Sequence, residues 1–104
     1  MAGRRNHSAF GSKRERQVRD RLREEGWIVI RCAASKPCDL VALRPQAALL
    51  VEVKGTSRSP WVAWGPADRA ALLEAARRAG AKALLAWWPP HGELQLLGPA
   101  EWPT

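Results

Sequence analysis

No stretch of this 104-residue chain approaches 18 consecutive apolar residues, so the sequence contains no membrane-spanning helix. Its first eleven residues are polar and basic without an apolar signal region, so secretion is not expected and a cytoplasmic setting is, in a cell or an infected host. Cysteine is nearly absent. Cys32 and Cys38, spaced C-x5-C, lack the second pair that a zinc site needs, and they read as small residues kept reduced. The two histidines, His7 and His91, fall in a tail and a turn, far from other ligand types. Acidic residues are also short: 10 Asp and Glu face 17 Lys and Arg, for a net charge of +7. With a pI near 10.7, the natural partner is a polyanion, and nucleic acid fits best.

The chain is long enough for one domain and one core, with little surplus. Its charge is uneven: residues 1–31 hold nine Arg or Lys against four acids. Arginine outnumbers lysine, which favours bidentate phosphate contacts. Residues 1–11 read as a flexible basic arm and 12–104 as the folded domain. Ser12 and Glu15 form a capping-box pattern opening a helix of about 12–25, with Val18 and Leu22 as its apolar stripe and Gly26 just past its end. Trp27 to Cys32 reads as a strand. After a connection containing Trp61 and Trp64, a second helix runs from about Pro66 to Ala79, with Leu72, Leu73 and Ala76 on its apolar face and Gly80 at its end. Lys82–Trp88 and Glu93–Leu97 complete the strands. The fold class is α/β: a mixed five-stranded sheet flanked by helices, in the order α-β-β-β-α-β-β.

Chemistry concentrates between residues 38 and 54. Cys38-Asp39-Leu40-Val41-Ala42-Leu43 and Leu49-Leu50-Val51-Glu52-Val53-Lys54 read as two strands joined by a turn over Arg44-Pro45-Gln46-Ala47. A hairpin folded about Pro45-Gln46 sets Asp39 opposite Glu52, and strand alternation puts Lys54 on the same face. Two adjacent carboxylates repel, and a hard divalent cation such as Mg²⁺ or Mn²⁺ relieves that repulsion. The bland alternative is a structural ion pair at a sheet edge, where inward charges discourage aggregation.

Gly11-Ser12-x-x-Glu15-Arg16 opening the first helix, a strand ending at Arg31, then Asp39…Glu52-x-Lys54 resembles the archaeal-type Holliday junction resolvases. These are members of the PD-(D/E)xK nuclease superfamily, and the likeness spans roughly residues 11–88. It implies a restriction-endonuclease-like core in which Asp39 and Glu52 bind Mg²⁺, with Mn²⁺ as a substitute, together with the backbone carbonyl of Val53. Lys54 would position the attacking water, Glu15 would complete the site through water or a second metal, and Arg16 would contact phosphate or brace the carboxylates. Ser35 is the candidate for a serine that the family uses in this loop. The chain departs from the family in its Pro37-Cys38-Asp39, where one residue separates Pro from Asp, in a short 35–39 loop, and in Asp68, which stands where related nucleases often carry Gln. An acid in a helix's first turn is adequately explained by the helix dipole.

The implied activity is structure-specific cleavage of four-way DNA junctions. A junction is two-fold symmetric and needs two cuts, so a chain with one site would work as a homodimer. The expected DNA-contacting residues are Arg4 and Arg5 of the arm, Lys13, Arg14, Arg16 and Arg19 of the helix, and Arg31, Lys36 and Arg58 beyond it. Trp61 and Trp64 are candidates for base or junction contact, and of Trp87 and Trp88 one belongs to the core and one to an interface. The competing functions are a related nuclease or exonuclease acting on linear or branched DNA, a basic DNA-binding module without activity, and an RNA-associated protein of related fold.

Overall fold

The computed structural model describes residues 2–32, 37–55 and 59–103, with residues 2–12 described by backbone alone. Helix α1 spans Ala2–Glu24 and leads into β1, Ile28–Arg31. Strands β2, Leu40–Arg44, and β3, Ala47–Lys54, follow as a hairpin. After β3 come the one-turn α2, Pro60–Ala63, and then α3, Pro66–Ala79. Strands β4, Lys82–Trp87, and β5, Gln95–Leu97, complete the sheet, and a 3₁₀ turn over Pro99–Glu101 follows. The five strands lie in the order β1-β2-β3-β4-β5. Every neighbouring pair is antiparallel except β3 and β4, which are parallel and joined through α3.

Two expectations from sequence change here. The first helix begins at Ala2, so the stretch expected as a flexible arm continues the helix, and Ser12 is an interior residue rather than a cap. Residues 2–11 contain no proline, and an interior glycine costs only about 1 kcal/mol, so nothing in them stops a helix. The connection after β3 also contains α2, a single turn whose cap is the Ser59 hydroxyl accepting from Trp61 N–H at 3.3 Å. One turn is too short to leave a periodicity signal.

Both long helices end as their glycines suggested. Gly26 adopts φ +93° and Gly80 φ +68°, left-handed conformations that glycine reaches without penalty. Trp27 N–H then donates to Leu22 C=O at 3.1 Å and Ala81 N–H to Ala76 C=O at 2.8 Å, closing each last turn. In the hairpin, Gln46 at φ 65° supplies the left-handed residue of a tight two-residue turn. The resulting register pairs Leu40 with Val51, Ala42 with Leu49 and Arg44 with Ala47.

That register sorts the side chains onto two cores, one on each face of the sheet. Val18 and Leu22 of α1 pack on Val29, Leu40, Ala42, Val51 and Ala86. Leu72 and Ala76 of α3 pack on Cys38, Trp64, Ala83, Leu85 and Trp102. Leu73, expected on the apolar face of α3, is exposed, because the buried side of the helix carries Arg69, Leu72 and Ala76. The α3 face leaves β1 and the tip of the hairpin uncovered: Ile28 is 69% exposed, its cross-strand partner Leu43 36% and Ile30 50%. Leu85 has no exposure, so Leu85→Ala is expected to cost about 2–5 kcal/mol, whereas a substitution at Val62, 78% exposed on α2, such as Val62→Thr should stay within about 0.5 kcal/mol. Urea unfolding of the two variants measures both, and equal losses would contradict this division into core and surface.

Candidate active site

Because Leu49, Val51 and Val53 pack toward α1, alternation turns Glu52 and Lys54 toward α3. Asp39 lies just before the start of β2, on the same side. There the ladder loses its regular pattern: Asp39 N–H donates to Val51 C=O at 3.0 Å on β3, while Asp39 C=O accepts from Cys32 N–H at 2.9 Å on the β1 side. Asp39 is thus held by both neighbouring segments at once. Its carboxylate Oδ2 accepts the Val53 N–H at 2.8 Å. The N–H and C=O of one extended residue point the same way, so the Val53 carbonyl is also directed to the Asp39 side.

Asp39 and Glu52 are each 9% exposed. Glu52 Oε2 lies 3.2 Å from Lys54 Nζ, and the Asp39 and Glu52 carboxyls are near enough to share a hydrogen bond. Burial is the main influence on Asp39 and pushes its carboxyl above the ordinary 3.8, and the negative charge of Glu15 adds to the rise. The Val53 N–H and the Lys54 ammonium act in the opposite direction without cancelling it. Cys38, beside Asp39, has its thiol pushed up to about 12, first by burial and then by Cys32, so it forms a neutral wall. Glu52 and Lys54 border a cleft of about 130 Å³ lined also by Pro37, Ala63, Trp64, Asp68 and Ala71, with Asp39 buried beside Glu52. Trp87, the β4 neighbour of Lys54, lies among the apolar groups of the same face.

Glu15 arrives from α1, on the opposite face. Its Oε1 accepts from Arg31 Nε at 2.7 Å, and it influences Asp39 through charge. Around this pair lies a second groove, lined by Glu15, Arg16, Arg19, Arg31 and Leu40. The end of the sheet therefore has an acidic cleft on its α3 side and an arginine-rich groove on its α1 side.

The remaining expected residues distribute unevenly. Lys13 and Arg16 are exposed, Arg19 pairs with Asp20 at 3.0 Å, and Arg14 packs against Trp88 with its guanidinium 4.6 Å from the ring centroid. Ser35, Lys36 and Arg58 lie outside the described residues, and Arg4 and Arg5 are described by backbone alone. Trp64 is 2% exposed and packs edge-on against Trp102 at 4.8 Å, so it belongs to the α3-side core, at the wall of the cleft. Trp87 and Trp88 are both partly buried, against the α3 and α1 cores respectively. The sequence reading overlooked Arg69, a buried arginine in α3. Its Nη1 donates to Trp64 C=O at 2.8 Å and its guanidinium lies 5.6 Å from the Trp61 ring, fastening α2 to α3 at the wall of the cleft.

A divalent cation fits this donor set. Among the described residues no three His, Cys, Asp or Glu side chains gather into a metal-holding group, and the donors at hand are Asp39, Glu52 and the Val53 carbonyl. Two hard carboxylates and a carbonyl at an open cleft match Mg²⁺, which keeps waters and takes its remaining ligands from phosphate. A buried acid raised above its unfolded value costs stability once pH exceeds that value, and the cost disappears as pH falls below it. In chelator, Asp39→Asn should therefore raise the urea midpoint at pH 7, with the gain shrinking toward pH 4 and below. A lowered midpoint at pH 7 would contradict burial as the dominant influence.

Comparison with known proteins supplies a family and a related fold. Residues 6–103 match the family model described as archaeal Holliday junction resolvase (Hjc). Among solved structures, Archaeoglobus fulgidus Hjc, described as a Holliday junction resolvase from an archaeal hyperthermophile, superposes with a TM-score of 0.71 at 27% identity, over 85% of this chain and 71% of its own. With nearly its whole length matched by the family model, the chain belongs to the archaeal Holliday junction resolvase family of nucleases.

Proposed function

We propose that this protein cuts four-way DNA junctions by Mg²⁺-dependent hydrolysis of two symmetry-related phosphodiester bonds, acting as a homodimer, with Mn²⁺ able to replace Mg²⁺. The observation that carries this reading is the burial of Asp39 beside Glu52, which with Lys54 lines an open cleft. A purely structural Glu52–Lys54 pair would have no use for a second buried acid whose ionisation the surroundings oppose.

Asp39, Glu52 and the Val53 carbonyl would hold the cation. When bound, it would supply neutralisation of phosphate charge and a more acidic water. The Lys54 ammonium, tethered by Glu52, orients the attacking water or stabilises negative charge building on the phosphate. Glu15, held by Arg31, acts on Asp39 through its charge and meets solvent in the arginine-rich groove, where Arg16, Arg19 and Arg31 follow the phosphate backbone. These contacts read charge and shape rather than base sequence, so affinity falls steeply with salt.

The second cut requires a second site, and the uncovered strip of Ile28, Ile30 and Leu43 offers apolar surface for a second copy. Dimerisation through this strip would hold two clefts in fixed relation, as a two-fold symmetric substrate demands.

Asp39→Asn, Glu52→Gln and Lys54→Ala should each lower single-turnover cleavage of a synthetic four-way junction at least about 100-fold, with junction affinity retained. Full cleavage by any one of them removes that residue from the site. Mg²⁺ should raise the melting temperature of the wild type but not of Asp39→Asn, which tests the metal site apart from activity. Cuts at unpaired positions, or equal cutting of linear duplex, would point to a different nuclease substrate.

A further inference from the structure

Gly55 follows Lys54 where β3 ends, and it is a glycine for a reason other than backbone conformation. The glycines with left-handed φ are Gly26 and Gly80, and Gly55 is not among them. What marks it is close approach. A Cβ at Gly55 would lie 2.9 Å from both Cγ and Nε of Arg14 and 3.1 Å from Cδ, closer than side chains pack. The Arg14 stem crosses this bare backbone and ends with its guanidinium over Trp88, 4.6 Å from the ring centroid. Trp88 in turn donates its N–H to Lys54 C=O at 3.3 Å. The Lys54–Gly55 peptide is thus gripped twice, by a hydrogen bond from the chain just past β4 and by the arginine stem from α1.

We propose that Arg14 is a positioning residue for Lys54: by filling the space left by the missing side chain of Gly55, it fixes the backbone from which the ammonium projects. Trp88 packs on the α1 face, whereas Lys54 points into the cleft on the α3 face, so Arg14 acts through the backbone rather than by touching the reacting phosphate. Because Arg14 directly precedes Glu15, the same contact sets the register of α1 over the sheet end and hence the approach of Glu15 to Asp39. A phosphate-binding role, which its charge and place in a basic helix suggest, would leave the close fit over Gly55 without a purpose. The proposal rests on Lys54 being part of the catalytic set.

The test compares Arg14→Ala, Gly55→Ala, the double variant and Arg14→Lys, with Lys54→Ala alongside. Single-turnover cleavage of a four-way junction is measured at saturating protein with Mg²⁺, and junction affinity is measured across a salt series with Ca²⁺ in place of Mg²⁺. Arg14→Ala and Gly55→Ala should each slow cleavage about 10- to 100-fold with affinity and salt dependence unchanged. The double variant should be no slower than the worse single, because both changes remove one contact. Arg14→Lys, whose stem still covers Gly55, should recover most of the rate. An unchanged saturated rate in Arg14→Ala, with weaker binding and a salt slope lowered by about one, would overturn the proposal in favour of a phosphate contact. Gly55→Ala cleaving at the full rate would overturn it as well. Full cleavage by Lys54→Ala would instead defeat the catalytic assignment of Lys54, a failure separable from that of Arg14.

Discussion

Asp39 takes one backbone hydrogen bond from each side: its carbonyl serves Cys32, its N–H reaches Val51, and its side chain then accepts Val53 N–H. A carboxylate this buried is costly unless hydrogen bonds or charge compensate it. Much of the domain bears on that cost. The hairpin register brings Glu52 alongside, strand alternation adds Lys54, and α1 crosses the other face so that the charge of Glu15 is felt at Asp39. Local hydrogen bonding relieves only part of the opposition to ionisation. In the proposed function that remainder is what a cation and a phosphate would satisfy, so the arrangement that is unfavourable to folding would be useful for binding.

The parallel pairing of β3 with β4 has a particular consequence for this site. A parallel neighbour requires a crossover, and here the crossover supplies α2 and α3. Arg69, inside that crossover, ties the Trp64 carbonyl and the Trp61 ring to α3, and Ala63, Trp64, Asp68 and Ala71 become the far wall of the cleft. The connection that closes the sheet therefore also shapes the reaction space.

Much of this was legible from the sequence because it depends on local rules. The pairing of Leu40 with Val51 followed from the Pro45-Gln46 turn and period-two alternation, and the ends of both long helices from Gly26 and Gly80. Asp39, Glu52 and Lys54 were found by the same reasoning, since spacing alone set them on one face. What spacing did not convey was contact between distant segments. The burial of Arg69 depends on a one-turn helix with no periodic signature. The edge-on packing of Trp64 against Trp102 joins residues 38 positions apart, so a tryptophan expected at the DNA is in the core. The helical backbone of residues 2–11 was missed because polar, basic composition was read as an arm, although composition does not forbid a helix.

The arginines show why net charge alone is a poor measure of a DNA-binding surface. Arg14 lies on Trp88 and against Gly55, Arg44 stacks on Trp27 at 4.2 Å while bonding the Glu25 carbonyl, and Arg69 is buried. These three are spent on packing, and moving any of them to a phosphate would uncover an aromatic ring or strand a carbonyl. Arg19 with Asp20 and Arg21 with Glu25 are different, because such pairs at the surface are weak and screened by salt. An incoming phosphate can take the place of the carboxylate at little cost. The arginines open to an incoming phosphate are thus those in exposed, exchangeable pairs and around the groove at Arg16, and they are fewer than the charge of +7 suggests. A moderate, adjustable grip suits a member of the Holliday junction resolvase family, which must bind a branched substrate and let its product go.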